Sequence, residues 1–162
     1  MITTLLVVIL VSLLLGSSLY YVKQKFIKLE VIITLLFLSF LCQHINFKLF
    51  SAYERLAVKE DLIPRVLSYL HFGIVLPILL LWLLYIWRKK IAIIYKVLLS
   101  FLWIGMDLLS KQVYVSINVL TSNTDSWYPI IDVCISLFIL LLSLLFMRIF
   151  STILEKESGV SP

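Results

Sequence analysis

Two carboxylates, two imidazoles and one ammonium interrupt a chain that is otherwise strongly apolar: Asp107, Asp132, His44, His71 and Lys111. Inside a bilayer such groups are costly, and they are kept where they bind, relay or pair. Two carboxylates with two imidazoles (His44, His71, Asp107 and Asp132) are a donor set for a divalent metal. The same groups can relay protons or hold a small cation. A structural account is also open. Asp107 and Lys111 are spaced i, i+4 and can pair on one helix face. Asp132 lies near a helix start, where the helix dipole favours negative charge. His44 and His71 would then bridge helices by hydrogen bonds.

The segments that carry these residues set their depth. Five apolar runs, Ile2–Val22, Leu29–Phe47, Val66–Trp87, Ile91–Leu109 and Tyr128–Met147, each supply about the twenty residues that span roughly 30 Å of hydrocarbon. With the N-terminus outside, Asp107 lies about 24 Å from the inner end of its span, and His44 about 22 Å along an outward-running one. Asp132 lies about 5 Å below the outer start of the fifth run, and His71 about 9 Å below Arg65. Gln43, Asn46 and Asn118 join them near that side. The functional expectation is a polar vestibule, open to the outside and shared by four helices.

Positive charge orients the runs. With the N-terminus outside, Lys23, Lys25, Lys28, Arg88, Lys89, Lys90, Lys96, Arg148 and Lys156 lie inside. Lys48, Arg55, Lys59, Arg65 and Lys111 lie outside, so the excess of bases is cytoplasmic. Tyr20, Tyr21, Tyr85, Trp87 and Tyr95 fall at the inner interface; Tyr69, Tyr114, Trp127 and Tyr128 fall at the outer one. The first run lacks a basic segment before it, so it reads as an uncleaved anchor rather than a signal peptide.

Local signals refine the ends. Asp61 with Pro64, and Asp125-Ser126 with Pro129, are helix starts. Pro77 should kink the third helix at mid-span, and Gly105 offers a close crossing on the fourth. Lys48–Ile63 has apolar residues at helical spacing, which suggests a short surface helix or a continuation of the second span. Lys111–Leu120 alternates like a strand, but a lone strand would leave its backbone unpaired. The fourth helix is therefore expected to run on to about residue 119. Glu30 sits in the first turn of its helix beside Lys28, and Lys96 can snorkel to the inner surface.

Composition excludes much. The chain has 162 residues, 62% hydrophobic and only 14% charged, far from the balance of a soluble domain. The net charge of +5 sits at the ends of apolar runs rather than in a basic stripe interleaved with aromatics, so nucleic acid is not an expected partner. Cys42 and Cys134 form no C-x-x-C pair and read as small buried hydrophobes. H-E-x-x-H, G-x-S-x-G and P-loop patterns are missing. Ser110 and Ser136 each have an Asp within four residues, but no base accompanies them, and they read as packing residues.

Three features carry a resemblance. They are the Pro-containing span Tyr69-Leu70-His71-Phe72-Gly73-Ile74-Val75-Leu76-Pro77, the acid-lysine stretch Asp107-Leu108-Leu109-Ser110-Lys111, and the Trp127-Tyr128 pair opening the last span. In these, residues 66–150 resemble an uncharacterised family of small polytopic membrane proteins from spore-forming Firmicutes. The resemblance implies a multi-span topology and a bacterial source, and it brings no assigned activity.

The expectation is an all-α bundle of five transmembrane helices in a bacterial cell membrane, N-terminus outside and C-terminus cytoplasmic. Residues 1–150 form its single domain and residues 151–162 a polar cytoplasmic tail. It is expected to act as a non-enzymatic sensor, an immunity or stress protein, or an accessory subunit, without a cofactor. The alternative is a small ion- or proton-coupled transporter or channel component using Asp107 and Asp132. The expected partners are the lipid bilayer and another membrane protein or a second copy.

Overall fold

Backbone amides in an apolar solvent must find partners within the protein, and a helix satisfies them within its own segment. The computed structural model describes residues 2–23, 28–52, 56–121 and 129–158. In chain order these form α1 (Ile2–Lys23), α2 (Lys28–Ala52), β1 (Ala57–Val58), α3 (Leu62–Leu70), a π-helical turn (His71–Val75), α4 (Leu76–Arg88), α5 (Ile93–Ser116), β2 (Leu120–Thr121) and α6 (Pro129–Ser158). Lys25, Tyr53, Glu54, Arg55, Trp127, Tyr128 and the tail from residue 159 lie outside the described residues. So do the side chains of Lys23, Lys28 and Lys48.

Five helical stretches are long and apolar enough to cross a membrane: α1, α2, the continuous rod Leu62–Arg88, α5 and α6. The rod is the axis of the bundle. It is 61% buried over its most apolar window, against 6% for α1 at the periphery. The outward surface is apolar: Leu6, Leu13, Leu36, Phe40, Leu98, Phe101 and Leu141 are all more than half exposed. A continuous apolar exterior of that kind suits hydrocarbon, not water.

The rod changes its winding in the middle for a chemical reason. Pro77 has no N–H, so the bond an α-helix would send from position 77 to the Gly73 carbonyl cannot form. The preceding turn widens, and Leu76 N–H reaches back five residues to the His71 carbonyl. Ser39 of α2 donates its hydroxyl to the Gly73 carbonyl at 2.7 Å. The Gln43 amide of α2 also packs against Gly73, where an added Cβ would overlap it. Gly105 has open space around it and supports no close crossing, contrary to its expected role.

One end of the bundle carries a two-stranded ribbon. β1 pairs antiparallel with β2, Ala57 opposite Thr121 and Val58 opposite Leu120. Lys59 N–H donates to the Val119 carbonyl at 3.1 Å, and Thr121 Oγ1 to the Ala57 carbonyl at 3.3 Å. The fourth helix does run on past Leu109, as expected, and the alternating Val113 and Val115 lie within it. A two-residue strand follows at Leu120–Thr121, with its partner in the α2–α3 loop. The fourth helix stops at Ser116, where Asn118 adopts φ 55° and turns the chain into the ribbon. That left-handed conformation is one Asn tolerates better than most residues. Within Lys48–Ile63, α2 continues to Ala52 and the ribbon follows, with no separate surface helix among the described residues. Leu56, Val119 and Leu120 are fully buried beneath this cap and join the apolar core.

The opposite end is held by charge and indoles. Glu30, buried in the first turn of α2, lies 2.7 Å from Arg88 at the end of α4, a partner the sequence did not single out. Lys96 Nζ donates to the Trp87 carbonyl at 2.8 Å, and Trp82 Nε1 to Ser18 Oγ at 2.8 Å, tying α1 to α4. Both cysteines are free. Cys42 is buried, whereas Cys134 is exposed on the bundle exterior, not buried as expected. α6 remains helical through residues 151–158, so the tail begins as an extension of the last helix.

Candidate functional site

The polar residues gather just beneath the cap. On α5, Asp107 and Lys111 are one turn apart on the face turned toward α6, and on α6 Asp132 and Ser136 are likewise one turn apart. Lys111 Nζ is 2.8 Å from Asp107 Oδ2 and 3.4 Å from Asp132 Oδ1. Ser136 Oγ is 2.6 Å from Asp107 Oδ2 and 2.8 Å from the Asp132 carbonyl, so its single proton serves one of the two. All four residues are at most 1% exposed.

Burying three ionisable groups costs several kcal/mol per ion unless each is paired and hydrogen-bonded. Here one ammonium bridges two carboxylates, which leaves a formal charge of −1 unless a proton joins them. Asp132 sits in the first turn of α6, where the helix dipole offsets part of its charge. The second oxygen of Asp107, Oδ1, is buried with no hydrogen-bond partner among the described residues.

His71 begins the π turn and packs its ring edge-on against Tyr114 of α5, centroids 5.0 Å apart. Its Nε2 and the Tyr114 hydroxyl are also buried without partners among the described residues, as are Asn46 Oδ1 and Ser68 Oγ. Tyr114, which His71 contacts, lies three residues along α5 from Lys111. The widened turn thus sets one imidazole against Tyr114, while the Ser39 and Gln43 side chains of α2 meet the turn at Gly73.

The five residues named from the sequence do not all meet. Asp107, Lys111 and Asp132 join directly, and His71 stands beside them. His44 does not: it is exposed and stacks on Phe40, ring centroids 4.9 Å apart, facing away from the cluster. The helix register decides this, because Cys42 and Asn46 take the inward positions of that part of α2. The donor set His44, His71, Asp107 and Asp132 therefore does not assemble. No group of three or more His, Cys, Asp or Glu suited to a metal occurs among the described residues. Asn118 is exposed in the turn before β2, and Asn46 is buried with its amide on the Cys42 carbonyl.

The vestibule is not open. Its charged residues are buried. Apolar grooves of about 160 and 190 Å³ flank α5, and none of the cluster residues lines them. Ser136, which reads from the sequence as a packing residue, instead reaches the Asp107 carboxylate and the Asp132 backbone carbonyl. The usable signal was its i+4 spacing from Asp132, which puts both on one face of α6. Ser110 bonds only the Asp107 carbonyl, at 2.7 Å, and stays a local helix contact.

A carboxylate–ammonium–carboxylate bridge of this kind can clamp two helices, store a proton, or do both. The chain matches no family model, no curated protein and no solved structure.

Proposed function

We propose that this protein is a non-enzymatic integral membrane module of a bacterial cell membrane, a sensor, immunity or stress protein, or accessory subunit. Its N-terminus is outside and its C-terminus cytoplasmic. The capped end is its working surface, and the Asp107–Lys111–Asp132 bridge is the internal clamp that holds that surface in shape. The observation that carries this reading is the burial of the cluster: every charged member is at most 1% exposed, and the ribbon follows at the same end of α5. The distribution of Lys and Arg supports the orientation.

Affinity purification from a gently solubilised membrane tests the module. A partner should be retained, and changes at the exposed residues Lys59 and Asp61, just after β1, should release it while the bundle stays folded. Retention unaffected by those changes would move the working surface elsewhere. Reporter fusions at Lys59 and at Arg88 should report opposite sides of the membrane.

The second reading is a small proton-coupled transporter or channel component. It is favoured by Asp107 Oδ1 and His71 Nε2, two buried polar atoms on neighbouring helices that have no hydrogen-bond partner among the described residues, beside a bridge of two carboxylates and one ammonium. Proton flux into liposomes that disappears in Asp107→Asn and Asp132→Asn would establish it over the module.

A further inference from the structure

A groove nearer the opposite end of the α5–α6 seam has a different character. It lies between α5 and α6, holds about 190 Å³, and is lined by Trp87, Phe101, Ile104, Leu137, Leu141 and Leu144 among others. Phe101 and Leu141 are each 63% exposed, so the rim opens outward onto the apolar exterior. The lining from Val97 to Ile104 extends over about 10 Å of helix.

One end of that slot is cationic. On α6, Leu137, Leu141, Leu144 and Arg148 fall at i, i+4, i+7 and i+11, so a single stripe passes from apolar floor to guanidinium. Arg148 is exposed and has no ion-pair partner among the described residues. On α5, Lys96 precedes the lining residue Val97, and its ammonium, bound to the Trp87 carbonyl, has two further protons to donate. Lys89 and Lys90 are exposed just beyond the end of α4. Trp87 and Ser100, joined at 3.2 Å, supply an amphipathic shelf where the slot meets this charge.

An apolar slot with a cationic mouth matches one kind of occupant: a chain of methylenes ending in an anion. We propose that the α5–α6 groove is a binding site for an anionic phospholipid, one acyl chain lying along Ile104, Leu137 and Leu141 and the phosphate held by Arg148 and Lys96. The site is at the end of the bundle opposite the ribbon and stands independently of the function assigned to the Asp107 cluster. Arg fits a phosphate through two parallel donors, and each basic residue near a membrane surface adds attraction for anionic lipid.

Native mass spectrometry of the full chain, released from detergent with phosphatidylglycerol or phosphatidylcholine of identical acyl chains, tests this. Phosphatidylglycerol should be retained preferentially, and Arg148→Gln should weaken its retention roughly fivefold, with Lys96→Gln adding a similar loss. Arg148 is exposed, so its replacement leaves the fold intact. Leu141→Trp, which fills the slot from its rim, should reduce retention of both lipids. Equal retention of the two lipids by the wild type would overturn the site, as would retention of phosphatidylglycerol unchanged by Arg148→Gln. A dimer that forms as lipid is lost, and that Leu141→Trp prevents, would assign the groove to a second copy and also overturn it.

Discussion

Lys111 and Asp132, twenty-one positions apart in the sequence, meet at 3.4 Å with neither side chain exposed, and this contact locks α5 to α6. Removing the ammonium leaves two buried carboxylates facing each other. Lys111→Met should therefore destabilise the folded bundle by about 3 kcal/mol, read from thermal unfolding in detergent. Neutralising the acids as well, with Asp107→Asn and Asp132→Asn, should recover most of that loss. A single Lys111→Met variant as stable as wild type would show that the bridge clamps nothing.

The Ser39–Gly73 bond answers the donor that Pro77 lacks. Ser39→Ala should cost about 1 kcal/mol in the native chain. It should cost much less in a Pro77→Ala background, where residue 77 can donate to Gly73 itself. A double-mutant cycle by thermal unfolding measures the difference, and equal costs in both backgrounds would mean that the two features are unrelated.

Asn118 turns α5 into the ribbon at φ 55°. Asn118→Gly should be neutral or slightly stabilising, because glycine adopts that conformation freely. Asn118→Val should cost about 1–2 kcal/mol, since a β-branched residue there is strained. Loss of amide protection at Lys59, whose N–H bonds the Val119 carbonyl, should accompany it in hydrogen exchange.

Much of this was legible in the sequence because the solvent dictates it. The five helices follow from run length alone, and the Asp107–Lys111 pair follows from its i, i+4 spacing. The failures have a common cause in long-range geometry. The partner of the Leu120 strand comes from residues 57–58, which no local pattern announces. His44 matches His71 by depth, yet depth does not fix rotation about the helix axis: one ring is exposed on Phe40 and the other packs against Tyr114. Ser136 shows the reverse: its rotation was readable from Asp132, but serine is so common in packed helices that the spacing carried little weight. The π turn was half legible, since Pro77 announces a lost bond but not that Ser39 would replace it.

Buried Glu30 is held by Arg88 at 2.7 Å at the uncapped end. Arg88→Ala should be more destabilising than Glu30→Gln, because the first leaves a buried carboxylate without its cation while the second leaves an amide beside a half-exposed arginine. Thermal unfolding of the two variants gives the order directly, and the reverse order would place the main cost on the arginine instead.

The closure of the Asp107–Lys111–Asp132 bridge is tested most directly by proton flux into liposomes containing the purified full chain under an imposed pH gradient. The closed clamp predicts wild-type flux equal to that of protein-free vesicles, and no change in Asp107→Asn. Flux above that background, abolished by Asp107→Asn in a protein that remains folded, would contradict the clamp and make the cluster a proton path.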